Sequence, residues 1–303
     1  MRLDRFRRTT ALLTGGTSGI GFEIARGLAE CGARLLLAAR NRPKGDAAAA
    51  SIRAQVPDAD IEVLDLDLAS LASVRRLCEA LRSRGEPIQL CALNAGVALV
   101  AAGGREVTED GFERTFQTNY LGHVALVSGI APLLHTGSAR VVSQVSLAAA
   151  RGSLDCDNLQ GERGYGAFAA YRRSKIALGL WTFELGRHSA SHGAGLSVGL
   201  AHPGIAPGSG IAPNLRRRFP SPLVHWAERN LGNPPRQAAL PMLEALATDD
   251  ATQRPRMWAP SRWLGIAGPP MARRPFRPFL DRVAAERLWA LSEAMLGHPN
   301  VRS

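Results

Sequence analysis

Short apolar runs alternate with segments of helical period through the first two thirds of the chain. Residues 10–14, 34–39, 60–66, 88–93, 139–145 and 196–201 are rich in Val, Leu and Ala with little polar alternation, and they predict strands. Between them, residues 20–29, 45–55, 71–82 and 168–188 carry helical spacing, and a long helix is expected within 110–134. Strands without a polar face need cover on both sides, which helices between successive strands supply. The pattern predicts an α/β fold, a doubly wound parallel sheet.

The character changes after His202-Pro203-Gly204, where prolines recur at short intervals up to Pro278 and only residues 236–248 and 281–296 read as clear helices. Chain that follows the last strands of an open α/β sheet is well placed to cover the crevice at the strand ends. Residues 206–280 are therefore expected to form a Pro/Arg/Trp-rich cover for a substrate, the alternative being a disordered basic tail. Trp226, Trp258, Trp263 and Trp289 favour packing over disorder. The expectation is a single domain over 1–303, with residues 1–205 as cofactor-binding and catalytic core and 206–303 as cover and C-terminal helices.

With 303 residues the chain is long enough for a sizeable core, and its formal charge of +11 is spread apart from local clusters at 5–8, 216–218 and 273–277. A solvated basic surface is the simplest reading, with attraction to polyanions or anionic membranes as the other. No zinc spacing or interleaved aromatic motif points to specific nucleic-acid recognition, and no metal site is expected. Cys31, Cys78, Cys91 and Cys156 include no Cys-x-x-Cys pair, which fits buried free thiols in a reducing compartment. The basic start is followed by only Ala11-Leu12-Leu13 before a glycine turn, too short for a signal peptide, and no stretch approaches a membrane span. A cytoplasmic protein is expected.

One feature stands out against this arginine-rich background: the only lysines are Lys44 and Lys175. Lys175 closes Tyr171-Arg172-Arg173-Ser174-Lys175, four residues after one of three tyrosines. A compact, mobile ammonium does what a planar guanidinium cannot.

Thr14-Gly15-Gly16-Thr17-Ser18-Gly19-Ile20-Gly21 joins the first strand to the first helix. Glycines there let the backbone turn tightly and approach a pyrophosphate, whose charge sits against the amides of the helix start. At the end of the second strand the chain reads Ala38-Ala39-Arg40-Asn41-Arg42, with no acidic residue to bond ribose hydroxyls. Arg40 can clamp a 2′-phosphate and Ser18 can add a hydroxyl, so NADP is expected over NAD, with NADPH favoured over NADH.

The glycine segment, Asn94-Ala95-Gly96, Asn119, Ser146, Tyr171-x-x-x-Lys175 and Pro203-Gly204 occur in the order found in short-chain dehydrogenases/reductases, which the chain resembles over residues 8–205. Leu66-Asp67-Leu68-Ala69-Ser70-Leu71, Asn119-Tyr120-Leu121-Gly122-His123 and Asn158-Leu159-Gln160-Gly161-Glu162 resemble the retinol dehydrogenase and WW-domain oxidoreductase branch, and Leu288 to Glu293 echoes it near the C-terminus. That resemblance implies a Rossmann fold and an oxidoreductase, a ketoreductase or alcohol dehydrogenase acting on a largely apolar small molecule. It implies Tyr171 as general acid/base, with Lys175 stabilising the tyrosinate and holding the nicotinamide ribose. Ser146 would bond the substrate oxygen, and Asn119 would hold a water linking Lys175 to solvent.

By the same resemblance Asp67 and Leu68 frame the adenine, Asn94, Ala95 and Gly96 lie along its ribose, and Pro203, Gly204 and Ile205 border the nicotinamide. Three positions depart from the family pattern: Leu93 for a second asparagine, Val145 for a serine, and Gly208 for a threonine, where Ser209 is the nearest substitute. Competing readings are a non-catalytic NADP-binding regulator and a non-redox or epimerase-type enzyme, whose glycine spacing differs from that of Gly15, Gly19 and Gly21. A homodimer is among the expected assemblies.

Overall fold

The computed structural model describes residues 6–98, 104–206, 232–248 and 256–297. Among the described residues eight strands form one sheet: β1 (Thr10–Thr14), β2 (Arg34–Ala39), β3 (Ile61–Asp65), β4 (Leu90–Leu93), β5 (Arg140–Gln144), β6 (Ser197–Ala201), β7 (Met257–Arg262) and β8 (Ala267–Arg273). Their order is β3-β2-β1-β4-β5-β6-β7-β8, parallel throughout except for the last, antiparallel pair. The chain winds outward from β1 to β3 and then crosses to β4, so the order reverses between β1 and β4. Ligands bind at such a switch point, beyond the carboxyl ends of the strands.

Strand side chains alternate between two cores. Leu12, Leu36, Ala38 and Leu64 point to one face, and Ala11, Leu13, Leu35, Leu37 and Ala39 to the other. The first core is closed by α3 (Leu71–Arg84), the segmented region from α4 (Arg114–Phe116) through α5 (Gly122–Gly129), and α7 (Ala167–Ser191). The second is closed by α1 (Gly19–Glu30), α2 (Arg42–Gln55) and α8 (Pro235–Ala247). Each fully buried leucine or isoleucine contributes about 1.5–3 kcal/mol, which explains strands with no polar face.

Local chemistry sets the helix ends. Asn41 Oδ1 accepts the amide of Lys44 at 2.9 Å and proline occupies the first turn, so α2 starts before the expected residue 45. Ser70 caps α3 and Gly85, at φ 68°, ends it in the left-handed region. The expected long helix is broken instead. A π-helical turn, Gln117–Leu121, follows α4, and the chain breaks again at Ile130 before α6 (Ala131–Thr136), which carries Pro132.

The C-terminal part departs from an all-cover reading. Part of the segment expected as cover builds β7 and β8, and β7 extends the parallel sheet through Leu200–Met257 and Ala201–Trp258 pairing. Prolines obscure these strands, yet Pro260 lies beyond the pairing with β6 and faces Pro270 across the final hairpin. The helices expected there are present: α8 with Pro241 inside it, and α9 (Arg282–Leu296), whose N-cap Asp281 accepts the amide of Ala284 at 3.0 Å. Trp289 of α9 stacks on His188 and Trp181 of α7 with ring centroids 4.1 and 6.4 Å apart, whereas Trp263 is 55% exposed. Trp226 lies outside the described residues. None of the four cysteines, all among the described residues, forms a disulfide, and burial pushes the Cys78 and Cys91 thiols up to about 11 and about 12. Among the described residues no helix is long and apolar enough to cross a membrane, and no cluster of metal-ligating side chains occurs.

Candidate active site

The turn after β1 needs glycine at Gly15, Gly19 and Gly21. Gly15 and Gly19 have φ of 72° and 54°. A Cβ on Gly15 would sit 2.7 Å from the Ala95 Cα, and one on Gly21 would run into the Gly15 carbonyl and lie 2.7 Å from Asn94 Nδ2. Glycine motif and Asn94-Ala95-Gly96, far apart in sequence, are thus packed against each other at the switch point. Ser18 is the N-cap of α1 but its exposed side chain makes no capping bond, and Ile20 is buried behind it. Thr17 lies beside them, partly exposed. The close backbone approach and the first-turn amides of α1 fit the pyrophosphate of a dinucleotide.

At the end of β2, Arg40 is exposed and has no ion-pair partner among the described residues. Its neighbour Arg42 is engaged by Asp46 at 3.3 Å and by Asp65 at 3.6 Å. Asn41 spends its side-chain oxygen on capping α2. Beyond β3, Asp67 accepts the Ala69 amide at 2.9 Å, and Leu68 packs beneath Gly122, where a Cβ would meet the Leu68 backbone.

Asn94 donates to the carbonyls of Thr14 and Gly15 at 3.1 and 2.9 Å, tying the end of β4 to the turn. Thr14 Oγ1 accepts the amides of Asn94 and Ala95, both at 3.1 Å, and meets His123 Nε2 at 3.0 Å. The other imidazole nitrogen, Nδ1, lies 3.2 Å from the Asn119 carbonyl, which accepts from it. Burial pulls His123 down to about 3, so the ring is neutral, with the proton on Nδ1.

Asn119 lies in the π-helical turn, fully buried. Its Oδ1 accepts the Val97 amide at 2.7 Å; its Nδ2 donates to the Val97 carbonyl at 2.8 Å and to Ser174 Oγ at 3.0 Å. Both N–H groups of the side chain are engaged in this clamp.

Ser146 follows β5, and its Oγ accepts the Ala148 amide at 3.2 Å, leaving its proton free to donate. Tyr171 and Lys175 stand one turn apart on α7, and both are buried. Burial pushes the Tyr171 phenol above its ordinary value, and the neighbouring Ser146 side chain pulls the other way. Lys175 is pulled down to about 8 by burial, and its Nζ donates to the Gln144 carbonyl at 2.9 Å. Gly96 lies close opposite, where a Cβ would stand 3.2 Å from Lys175 Nζ and 3.3 Å from Asn119 Oδ1.

Pro203, Gly204 and Ile205 leave the end of β6 in a loop that Gly204 turns at φ 82°. The Ile205 amide donates to the Ile266 carbonyl at 3.0 Å, and its carbonyl accepts the Asn233 amide at 2.8 Å. Asn233 also clasps Gly268 through both side-chain atoms. Gly208 and Ser209 lie outside the described residues.

The expected residues therefore gather in two linked groups, glycine turn with Asn94 and Ser146 with Tyr171 and Lys175. Sequence reasoning missed three residues that link these groups through Asn119, Asn94 and Lys175, namely Ser174, His123 and Gln144, and it missed Asn233, which ties the Ile205 loop to Gly268. Ser174 carried a signal, lying one turn beyond Tyr171 on the same helix face. Asn233 carried none.

A family model for the short chain dehydrogenases matches residues 9–217. The chain belongs to that family. It is similar to the polyprenol dehydrogenase of Mus musculus, 38% identical over 200 residues that cover 64% of this chain and 59% of that protein. It is also similar to retinol dehydrogenase 12 of Mus musculus, 33% identical over 94% of this chain and 85% of that protein, which supports the retinol dehydrogenase-like branch. The crystal structure of an uncharacterized protein from Mycobacterium paratuberculosis superposes with a TM-score of 0.77 at 31% identity, covering 98% of this chain and 96% of that one. Solved structures with this fold include complexes with NADP and with NAD.

Proposed function

We propose that this protein is an NADP(H)-dependent oxidoreductase that interconverts a carbonyl and an alcohol on a largely apolar small molecule, with Tyr171 as general acid/base. The observation that carries it is the buried pair Tyr171 and Lys175, one turn apart on α7, with Ser146 beside the phenol at the end of β5. The bound nicotinamide supplies or accepts the hydride. In the reducing direction Ser146 donates a hydrogen bond to the carbonyl oxygen, which develops negative charge. Tyr171, held protonated by burial, gives that oxygen its proton, and Lys175 stabilises the tyrosinate left behind. In the oxidising direction the same phenolate removes the alcohol proton.

Arg40 supports NADP over NAD, because an exposed guanidinium without an ion-pair partner among the described residues, at the end of β2, is suited to a 2′-phosphate. An apolar substrate is supported by three exposed hydrophobic side chains on the side of the carboxyl strand ends: Ile205 after β6, Trp263 after β7, and Phe168, one turn before Tyr171. The names of the polyprenol and retinol dehydrogenases it resembles point to the same class.

The test is a panel of apolar ketones, aldehydes and alcohols followed by NADPH absorbance, with Tyr171→Phe in parallel. Tyr171→Phe should abolish turnover while NADPH still binds. An active Phe variant, or NADPH binding without turnover across the panel, would sink the catalytic reading.

A further inference from the structure

Gln144 ends β5 in a position that no part of the catalytic scheme uses. It is 6% exposed, and its Nε2 donates to Asn94 Oδ1 at 3.2 Å. Its Oε1 is buried and has no hydrogen-bond partner among the described residues. The orientation of this amide is forced. Asn94 Nδ2 is occupied by the carbonyls of Thr14 and Gly15, so Asn94 must present its oxygen to Gln144. Gln144 must answer with its amide nitrogen, since the flipped amide would set oxygen against oxygen. The orphan oxygen thus follows from the network and not from an arbitrary choice of flip.

A buried acceptor costs free energy unless a donor meets it. Neighbouring donors are directed elsewhere: Lys175 Nζ donates to the Gln144 backbone carbonyl and the Val145 amide to Ala201, and neither meets Oε1. Gln144 lies two residues before Ser146 and pairs in register with Ala201, two residues before Pro203. The adenosine end, marked by Arg40 after β2, is three strand positions away across β1 and β4, about 14 Å at the usual strand spacing. What comes near Gln144 is the other end of the dinucleotide.

We propose that Gln144 Oε1 accepts a hydrogen bond from the nicotinamide riboside half of the bound cofactor, from either its carboxamide N–H or a ribose hydroxyl. Gln144 is then a cofactor-binding residue, holding the reactive half in place beside Tyr171 and Lys175. The inference rests on the dinucleotide reading given above.

Calorimetric titration of wild type and Gln144→Met with NADPH and with adenosine 2′,5′-bisphosphate, which lacks the nicotinamide riboside, tests it. NADPH should bind the variant about tenfold more weakly, and the bisphosphate should bind both proteins equally. The 3-acetylpyridine analogue of NADP, which has no amide N–H, separates the two donors. If its affinity is the same for both proteins the donor is the carboxamide, and if the tenfold gap persists the donor is a ribose hydroxyl. Equal losses for NADPH and bisphosphate would overturn the proposal and leave Gln144 as a support for Asn94, and unchanged NADPH affinity would overturn it outright. If wild type bound neither ligand, the dinucleotide reading would fall with it, a failure seen without any variant. Gln144→Val makes the same removal should the Met variant not fold.

Discussion

Lys175 Nζ donates to the backbone carbonyl of Gln144 at 2.9 Å, so the one buried lysine is held by the end of the strand that also leads into Ser146. An ammonium is kept out of water here with no carboxylate paired to it among the described residues, and its pKa falls from 10.5 to about 8. At pH 7 the folded protein therefore carries a buried charge at a cost to stability.

Lys175→Met should unfold at a higher temperature than wild type at pH 7 while losing turnover. The folded pKa is depressed, so between pH 8 and 10.5 the unfolded chain binds more protons and wild-type stability rises with pH. The advantage of the variant, on the order of 3 kcal/mol at pH 7, should shrink toward pH 10. Thermal unfolding of both proteins at pH 7 and pH 10 checks this. A variant less stable than wild type at pH 7 contradicts it.

The Asn119 clamp predicts an ordering of losses. Ser174→Ala removes one partner of Asn119 Nδ2, which keeps its bond to the Val97 carbonyl, and should cost about 1 kcal/mol. Asn119→Ala also strands the Val97 amide and should cost more, about 2–4 kcal/mol, with turnover falling in both. Urea unfolding ranks the two, and equal losses would mean the clamp does not hold Val97.

Much of this site was legible because its chemistry demands particular residues at particular spacings. Gly15, Gly19 and Gly21 are dictated by the backbone, and Tyr171 and Lys175 by helical period. The core strands β1 to β6 were legible from their lack of a polar face. What was not legible depended on tertiary context. The π-helical turn Gln117–Leu121 breaks a segment whose apolar spacing reads as one helix, and the Asn119 side chain within it bonds Val97 and Ser174, contacts that only the tertiary fold brings together. Strands β7 and β8 were hidden by Pro260, which lies beyond the pairing with β6, and by Pro269 and Pro270, which lie on the edge strand β8. Gln144 and His123 are polar residues in otherwise apolar segments, and only the fold shows what they face.

Arg40 sets the cofactor prediction. Arg40→Ala should raise the KM for NADPH about tenfold or more and leave that for NADH within about twofold, since the loss is that of one charge-assisted contact to the 2′-phosphate. Arg40→Asp should go further and favour NADH. Initial rates with both cofactors decide the matter. If the KM for NADPH were unmoved in Arg40→Ala, another residue would have to hold the phosphate.

His123 predicts how the fold responds to acid. The ring is pinned between Thr14 and Asn119, and burial lowers its pKa from 6.5 to about 3. The folded state keeps it neutral while the unfolded chain takes up a proton below pH 6.5. Between pH 6.5 and 3 the unfolded state thus binds more protons, and stability falls as pH falls, by up to about 1.4 kcal/mol per pH unit for this one group. His202, lowered to about 4 by burial, adds a fall of the same sign over pH 6.5 to 4. His123→Gln has no titrating proton to gain, so its urea-unfolding free energy between pH 4.5 and 5.5 should fall less steeply than that of wild type by about 1.4 kcal/mol per unit. An unchanged slope would show that His123 titrates normally in the folded protein, and the link from Thr14 to the Asn119 carbonyl would then not be the neutral one described.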